Sequence, residues 1–335
     1  MPKFLIIRFS SIGDIVLTTA AIRCLKLQVP DAKVHFLCKN SMRSVTQSNP
    51  YIDKFHYLND DLGLLIRELK KENFDKVIDL HKNFRSYRIR FALGRPVLSY
   101  RKLSVEKFLL TRFHVDRMPR RHIAERCLDA VQPLGVKDDG LGLDQFVDAG
   151  TSLIDNPLPR FTQSGYVAMV IGASYETKKL PLEKLRELCN LIDNPVVLVG
   201  GQEDQRIGEE LAAGFPEKVW NACGAYTLQQ SAVVVRDARL VISHDTGLQY
   251  MACAFQKPVL AIWGGTTPAL QVEPWYGYGH ADKHRNFQVE GLECQPCSNY
   301  GSAKCPRGHF RCMRNQDIQQ IAKFANTWFN SGPWE

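Results

Sequence analysis

Three charged side chains of this sequence follow short apolar runs, at the points where parallel strands would end. Asp14 follows a strand predicted at Phe4–Arg8, Asp245 follows one at Leu240–Ser243, and Lys178 follows a third apolar run. The carboxyl ends of parallel strands form the edge at which α/β proteins bind ligands. A carboxylate there can act as a general base, and a lysine can stabilise a departing diphosphate. We therefore predict Asp14 and Lys178 as catalytic residues; the alternatives are a helix cap for Asp14 and a solvated side chain for Lys178.

The segment after Leu240 reads as strand, turn, helix and second strand within fewer than thirty residues. Its helix opens at Asp245-Thr246-Gly247, and an apolar run at Pro258–Trp263 follows. This order predicts a βαβ crossover, whose helix N-terminus presents backbone N–H groups to an anion. A Gly-Gly-Thr-Thr loop after the second strand adds hydroxyls at the same edge. The pattern favours a phosphate or sugar site, although helix capping alone also explains an Asp-Thr-Gly.

The elements that must position these residues require a large α/β chain. A length of 335 residues fits two domains, each able to bury its own core. We expect a first domain at 1–155, a second at 156–315, and a C-terminal helix at 316–335 that packs back on the first domain. The sequence has no apolar run of about 18 residues, and most of its ten cysteines stand singly and apart from one another. Both features favour a cytoplasmic protein.

Positive charge is concentrated in one stretch. Residues 81–126 contain 13 lysines and arginines against three acids, with aromatic residues interspersed. Such a stretch is typical of a surface that binds nucleic acid, or of one that binds phosphorylated glycolipid at an anionic membrane. A solvated basic face with buried aromatic rings is the remaining interpretation.

Two further motifs have candidate ligands. Gly201 and Glu203 follow a strand predicted at Val196–Val199, where an acid can accept a hydrogen bond from a ribose hydroxyl. Near the end of the chain four cysteines are spaced C-x2-C-x7-C-x6-C, with His309 nearby. The second pair lacks the tight C-x2-C spacing, so structural zinc and a thiol-rich loop both remain open. The zinc ligands would be Cys294, Cys297, Cys305 and Cys312.

Taken in order, these motifs resemble those of the lipopolysaccharide heptosyltransferases of glycosyltransferase family nine. The motifs are Arg8-x-Ser-Ser-Ile-Gly-Asp14, Asp79-Leu-His-Lys-Asn83-x-Arg85-Ser86, Tyr100-Arg101-Lys102, Lys178-x-Leu-Pro181, Gly200-Gly-x-Glu203-Asp204, Ser243-x-Asp-Thr-Gly-Leu248 and the Cys-rich tail. The resemblance covers nearly the whole chain. It implies a GT-B fold, in which two Rossmann-like, doubly wound parallel-sheet domains face a central cleft. The first domain would bind the acceptor and the second an ADP-sugar.

The resemblance and the strand-end pattern together assign the remaining candidate residues. The expected donor-binding residues are Ser10, Ser11, Gly13, Ser174, Gly201, Glu203, Asp245, Thr246, Gly247 and Leu248. The expected acceptor-binding residues are Lys82, Asn83, Arg85, Arg101 and Lys102. The sequence has no Asp-x-Asp motif of the kind that binds a metal diphosphate, so we expect catalysis without a metal or other cofactor.

The resemblance predicts an inverting transfer of heptose from ADP-L-glycero-D-manno-heptose to the inner core of lipopolysaccharide. The acceptor would be Kdo–lipid A or its heptosylated form, met at the anionic inner-membrane surface, and no nucleic acid is expected as a partner. Leu180 stands where the family usually has Trp, and Tyr250 where it commonly has His. These departures leave the donor sugar open. Alternatives are another nucleotide-sugar transferase, a nucleotide-sugar epimerase and a nucleic-acid-binding protein.

Overall fold

A computed structural model describes residues 1–331 of the chain. In this part of the chain the strands are β1 Lys3–Ile7, β2 Lys33–Lys39, β3 Lys54–Leu58, β4 Lys76–Asp79, β5 Val97–Ser99, β6 Val167–Val170, β7 Val196–Val199, β8 Val219–Asn221, β9 Leu240–His244, β10 Val259–Ile262 and β11 His284–Phe287. The helices are α1 Ile12–Val16, α2 Thr19–Gln28, α3 Arg43–Thr46, α4 Leu62–Lys71, α5 Phe84–Leu93, α6 Ser104–Phe113, α7 Ile123–Asp129, α8 Leu182–Leu191, α9 Gln205–Gly214, α10 Leu228–Asp237, α11 Gly247–Ala254, α12 Arg311–Arg314 and α13 Ile318–Asn330.

The first compact unit contains residues 1–102 and 121–148. Its sheet has the order β3-β2-β1-β4-β5, and each neighbouring pair is parallel. The central strand β1 is almost wholly buried, because helices cover both faces of a doubly wound sheet and its residues are apolar on both. Asp14 and His81 therefore follow the carboxyl ends of the two neighbouring strands β1 and β4.

The second unit contains residues 103–120 and the chain from 149 onward. Its sheet has the order β11-β10-β9-β6-β7-β8 and is also parallel throughout. Strands β9 and β10 pair directly, with Val241 opposite Val259, and α11 connects them. The predicted βαβ crossover and the two-domain α/β class are both confirmed.

Two segments pack differently from the expectation. The segment that contains α6 belongs to the second unit, where Leu103, Leu110 and Met118 bury their side chains with Leu270. The C-terminal helix α13 also packs in the second unit rather than on the first, which corrects the expectation for residues 316–331; residues 332–335 lie outside the described part of the chain. Its Ile321 and the other residues of its apolar face lie in the core of the second sheet.

The first helix predicted from sequence is interrupted. The sequence after Asp14 predicts one helix from Ile15 to about Gln28, whereas in the structure α1 ends at Val16 and α2 begins at Thr19. The hydroxyls of Thr18 and Thr19 donate to the carbonyls of Ile15 and Val16, and such back-bonding competes with the regular helical pattern. Among the described residues, no helix is long and apolar enough to cross a membrane.

Candidate active site

Asp14 lies in the first turn of α1 and makes three polar contacts. One carboxylate oxygen lies 2.6 Å from Nη2 of Arg8. The other accepts hydrogen bonds from the backbone N–H and the hydroxyl of Ser11, at 3.1 and 2.9 Å. Ser11 is the residue that precedes α1, so Asp14 also caps the helix. The carboxylate is nevertheless reachable from solvent, because 29% of its side chain is exposed.

Arg8 determines the charge state of Asp14. Burial alone would raise the pKa of the Asp14 carboxyl, but the Arg8 guanidinium and the two Ser11 hydrogen bonds hold it below its ordinary value. Arg8 is itself buried and donates from Nη1 to the carbonyl of Leu80. Asp14 is therefore ionised at neutral pH and positioned to receive a proton, but it is a weaker base than an ordinary aspartate.

The buried carboxylate of Asp79 organises the loop after β4. One of its oxygens accepts from the backbone N–H groups of His81 and Lys82, at 3.0 and 2.9 Å. The other accepts from the Ser86 hydroxyl and from Arg90, at 2.9 and 3.2 Å. Burial first, and the Arg8 charge second, lower the pKa of His81 to about 4, so its imidazole is neutral at pH 7. Its Nδ1 is buried and has no hydrogen-bond partner within residues 1–331.

The expected acceptor residues lie in the first unit, in three different settings. Lys82 has a left-handed backbone and donates from Nζ to the Tyr100 carbonyl at 3.1 Å, while Lys102 donates to the Lys82 carbonyl at 2.7 Å. Asn83 accepts from the Ser86 N–H at 2.9 Å and so caps α5. Arg85 and Arg101 are exposed. Lys82 and Lys102 are thus tied to each other's segments, whereas the Asn83 oxygen has a structural role.

Arg85 also lines an open pocket at the carboxyl ends of β2 and β3. The pocket wall contains a second cation, Lys39, and the small polar side chains of Asn40 and Ser41. Asp60 is its acidic residue. Two cations and several hydrogen-bonding groups at strand ends suit an anionic, hydroxyl-rich ligand.

Lys178, Asp245 and Thr266 come together in the second unit. Lys178 Nζ lies 2.7 Å from Oδ2 of Asp245 and also donates to the Asp245 carbonyl at 3.1 Å. The same Oδ2 accepts from the Thr266 hydroxyl at 2.9 Å. The Lys178 and Asp245 side chains are 13% and 11% exposed. These three residues follow β6, β9 and β10, so the strand ends predicted from sequence do converge.

Two glycines allow the Lys178 turn to approach the loop after β10. A Cβ on Gly264 would lie 2.4 Å from the Thr177 carbonyl oxygen, and one on Gly265 would lie 2.8 Å from the Thr177 hydroxyl oxygen. The Gly265 N–H donates to the Thr177 carbonyl at 2.7 Å. Because Thr177 precedes Lys178, this close approach fixes the lysine beside Asp245.

The remaining predicted donor residues lie near this cluster or on neighbouring turns. Thr246 is the N-cap of α11, with Gly247 and Leu248 in its first turn, and all three are partly buried. Glu203 and Ser174 are exposed on loops at the same sheet edge. The acid that the fold buries is the neighbouring Asp204, which accepts from the Gly201 N–H and from Lys179, both at 3.0 Å.

The predicted donor set is divided between the two units. Ser10, Ser11 and Gly13 belong to the first unit with Asp14, and the other donor candidates belong to the second. Sequence reasoning did not assign roles to Arg8, His81 or Thr266. Arg8 and His81 stand inside motifs that the sequence displays, and their contacts with Asp14 and Asp79 are local in the chain. The hydrogen bond from Arg8 to the Leu80 carbonyl spans 72 positions, so local sequence could not reveal it.

The four C-terminal cysteines line one cavity with His309, and Cys294 Sγ lies 3.7 Å from its Nε2. All ten cysteines of the chain are unpaired. Burial and the neighbouring thiols raise the pKa of Cys312 to about 12. Within residues 1–331 the side chains close enough to share a metal ion lie elsewhere, so zinc at Cys294, Cys297, Cys305 and Cys312 is not supported.

The two groups that are close enough already have other partners. In His35, His56 and Glu72, the His35 Nδ1 lies 3.0 Å from His56 Nε2, and Lys54 holds the Glu72 carboxylate. In the group of Cys24, Asp138 and Asp139, Arg23 forms a bidentate contact with Asp139. Both groups are therefore explained as hydrogen-bonded and ion-paired networks that range from buried to exposed.

Two parallel-sheet α/β domains with polar residues at their strand ends are the build of the GT-B fold class. Two solved structures share this fold. E. coli ADP-heptose lps heptosyltransferase II superposes with a TM-score of 0.73 and 18% identity, and 98% of each chain is covered. E. coli heptosyltransferase WaaC with ADP-2-deoxy-2-fluoro heptose superposes with a TM-score of 0.65 and 20% identity, covering 88% of this chain and 96% of that one. The curated lipopolysaccharide heptosyltransferase 1 of Pseudomonas aeruginosa is 25% identical over 325 residues, covering 88% of this chain and 86% of its own length.

Residues 63–305 match glycosyltransferase family 9 (heptosyltransferase), and the chain belongs to that family. The match spans well over half of the chain and includes the loop after β4, Lys178, Glu203 and Asp245. The family resemblance, the fold class and the assignment as a glycosyltransferase are therefore confirmed.

Proposed function

We propose that the protein transfers heptose from ADP-L-glycero-D-manno-heptose to the lipopolysaccharide inner core, at Kdo–lipid A or heptosyl-Kdo–lipid A. Transfer proceeds by a single displacement that inverts the anomeric centre, without a metal ion, in the cytoplasm at the anionic inner membrane. The family supports the reaction, and the fluoro-heptose complex of the WaaC neighbour supports the donor. The observation that carries the proposal is the Lys178–Asp245–Thr266 cluster of the second unit.

Lys178 stabilises the ADP leaving group. Its ammonium group is mostly buried and already restrained by Asp245 and by the Thr177 turn, so binding a diphosphate orders little additional side chain. The negative charge on the diphosphate grows as the glycosidic bond breaks, and a preorganised cation then stabilises the transition state more than the ground state. The first-turn N–H groups of α11 add positive potential at the same edge.

Asp245 and Glu203 bind sugar hydroxyls. Asp245 accepts from Thr266 on the oxygen that also contacts Lys178, which leaves its other oxygen available to a hydroxyl of the donor heptose. Glu203 is exposed beside the half-buried Gly201, where it can accept from the ribose.

The first unit binds the acceptor. Lys82, Arg85, Arg101 and Lys102 supply positive charge for the carboxylates and phosphates of a Kdo–lipid A acceptor. The pocket beside Lys39 and Arg85 offers the same chemistry at the carboxyl ends of β2 and β3.

Asp14 receives the proton of the acceptor hydroxyl. Its pKa is held low by Arg8, so the transfer occurs late, when the hydroxyl oxygen has begun to bond to the anomeric carbon and its proton has become acidic. Arg8 then stays beside the protonated carboxyl and keeps its pKa low, so the carboxyl releases the proton to solvent when the product leaves.

A mass-spectrometric assay tests the donor, the acceptor and the metal together. The enzyme is incubated with ADP-heptose and Kdo–lipid A or its heptosylated form, with and without EDTA, and the acceptor should gain the mass of one heptose in both cases. GDP-mannose and UDP-glucose should give no product, and NMR of the product should show an inverted anomeric centre. Transfer only from another nucleotide-sugar would overturn the proposed donor. Loss of transfer in EDTA would overturn metal independence, and retention of configuration would overturn the inverting mechanism. Conversion of ADP-heptose without any acceptor would identify an epimerase.

Lys178→Ala tests the role of the cluster. Turnover should fall by about 10²–10³-fold, because one electrostatic stabiliser of the transition state is lost. Lys184→Ala is the matched control, since Lys184 is also an ion-paired lysine of the second unit, bound to Glu187 at 2.9 Å. Equal effects of the two substitutions would return Lys178 to a structural role.

A further inference from the structure

Helix α5 presents aromatic side chains on the face opposite its buried side. At about 100° per residue, Phe84, Tyr87 and Phe91 fall within an arc of roughly 60°. Ser86 and Ile89, the buried residues of α5, project from the opposite side. A helix on the surface of a globular protein normally turns polar residues to solvent, so this arrangement is the reverse of the usual one.

The rings are exposed to a degree that burial within this chain does not explain. The exposed fractions are 75% for Phe84, 46% for Tyr87 and 92% for Phe91. They follow one another at spacings of three and four residues, so they form one continuous stripe along the helix. A contiguous apolar stripe of this kind indicates a surface that another phase or molecule covers.

The charge around the stripe is positive. Arg85, Arg88 and Arg95 are exposed on or just after α5. The sequence contains no acid between Leu80 and Val105. The acid that precedes this stretch in the sequence, Asp79, is buried and paired with Arg90, and Asp60 lines the pocket beside Arg85. Exposed arginines beside aromatic rings complement an anionic lipid surface, since the rings prefer the headgroup region and the guanidinium groups bind phosphates.

We propose that α5 is a membrane-docking helix. Phe84, Tyr87 and Phe91 insert among the headgroups of an anionic phospholipid bilayer, and Arg88 and Arg95 bind lipid phosphates. This inference rests on the proposed function in one respect: a lipid-anchored acceptor is reached at the bilayer. It adds the element and the side chains that make the contact.

Vesicle cosedimentation of the full chain tests the proposal without any substrate. The protein should bind vesicles of phosphatidylethanolamine and phosphatidylglycerol, and should bind vesicles of phosphatidylcholine alone far more weakly. The double substitution Phe84→Ser with Phe91→Ser should lower the partition coefficient by about tenfold or more, because two inserted rings are lost. Arg88→Gln with Arg95→Gln should lower it by about fivefold per arginine at low salt, with a smaller effect at high salt.

Leu27→Ser with Leu64→Ser is the matched control. These leucines are also exposed in the first unit, on α2 and α4, so the control removes a similar apolar surface from helices other than α5. Phe91→Trp should retain binding, because Trp favours the bilayer interface. Thermal midpoints of all variants should stay close to that of the unaltered chain, since every replaced side chain is exposed.

The outcomes separate this inference from the proposed function. Absence of binding to phosphatidylglycerol vesicles, or an equal loss in the Leu27 and Leu64 control, would overturn the docking role of α5. In a parallel assay the Phe84 and Phe91 variant should transfer heptose normally to acceptor dispersed in detergent, and poorly to acceptor embedded in vesicles. Vesicle binding without heptose transfer by the unaltered chain would instead contradict the proposed function and leave the docking helix in place.

Discussion

Replacing Asp14 with Asn removes one negative charge and changes little in size. In the native protein one oxygen of Asp14 contacts Arg8 at 2.6 Å and the other accepts two hydrogen bonds from Ser11. Asn can supply only one oxygen, so its amide N–H2 group must face either the Arg8 guanidinium or the Ser11 N–H. In either orientation, an N–H donor of Asn therefore faces another N–H donor instead of an acceptor.

The cost to stability follows from these contacts. Breaking a buried ion pair by removing one partner costs about 3–5 kcal/mol. Here the cost is smaller, because the Asp14 side chain is 29% exposed and Arg8 keeps its bond to the Leu80 carbonyl. We expect a loss of about 2 kcal/mol, which lowers the thermal midpoint by about 4–8 °C for a domain of this size. A helix cap alone would predict almost no loss, since Asn caps about as well as Asp.

The effect on catalysis should be much larger than the effect on stability. Loss of a general base slows the chemical step by about 10²–10⁴-fold. The affinity for ADP should barely change, because Lys178, Asp245 and Glu203 belong to the other unit. The assay measures thermal midpoint, ADP affinity and turnover of Asp14→Asn at a temperature well below its midpoint.

Asp53→Asn is the matched control for this substitution. Asp53 also combines a 2.7 Å ion pair, to Lys26, with a backbone hydrogen bond, from the Val34 N–H at 2.8 Å. It precedes β3 and therefore lies at the amino end of the sheet, away from the strand ends that carry Asp14. Turnover close to the unaltered value in Asp14→Asn, or equal losses in both variants, would refute the role as base.

Two further predictions concern the second unit. Gly264→Ala should reduce ADP affinity and turnover by about tenfold or more, because its Cβ would lie 2.4 Å from the Thr177 carbonyl oxygen and displace the Lys178 turn. The control is Gly214→Ala at the end of α9, where an added Cβ would have no atom within 4 Å, and it should leave ADP affinity and turnover unchanged. Burial lowers the pKa of His244 to about 3, and its Nε2 accepts from the Leu180 N–H at 3.0 Å. Between about pH 6.5 and about pH 3, His244 is therefore protonated in the unfolded chain but neutral in the folded chain. The free energy of unfolding falls as the pH is lowered through this window, and His244 has no effect on it at higher pH. Thermal midpoints measured at several pH values should show a shallower acid slope in His244→Gln, and an unchanged slope would contradict this assignment.

Sequence patterns predicted the central strands well and missed the outer ones. The strand at Val196–Val199 was predicted with its exact bounds, and β1, β9 and β10 within two residues, because these strands are apolar on both faces. The apolar run at Tyr166–Ile171 predicts β6 equally closely. The strands that were not predicted are β3, β5, β8 and β11, which are the edges of the two sheets. Edge strands are short and partly exposed, so they lack the continuous apolar run that identifies a buried parallel strand.

For the candidate site, the sequence predicted which residues lie at strand ends but not which residues they contact. Strand-end logic found Asp14, Lys178 and Asp245, because a polar residue after an apolar run needs only local sequence to be recognised. The partners of these residues could not be found in the same way. Lys178 and Asp245 are 67 positions apart, and Arg8 reaches the Leu80 carbonyl 72 positions away. Such pairs depend on the order of strands in the sheet, which the spacing of motifs does not encode.

The Cys-rich segment near residue 300 has a consequence for the biosynthesis of the protein. The Thr177 N–H donates to the Ser302 carbonyl and the Ser302 N–H donates back to the Thr177 hydroxyl, across a separation of 125 residues. A Cβ on Gly301 would lie 3.1 Å from Lys178, and Gln295 donates to the carbonyls of Gly264 and Thr266. While the ribosome is still translating the chain, the turn that carries Lys178 lacks this support until residues 295–302 have left the exit tunnel. A nascent or prematurely terminated chain that contains β6, β9 and β10 but lacks residues 295–302 should therefore bind ADP poorly, which delays donor binding until that segment has emerged.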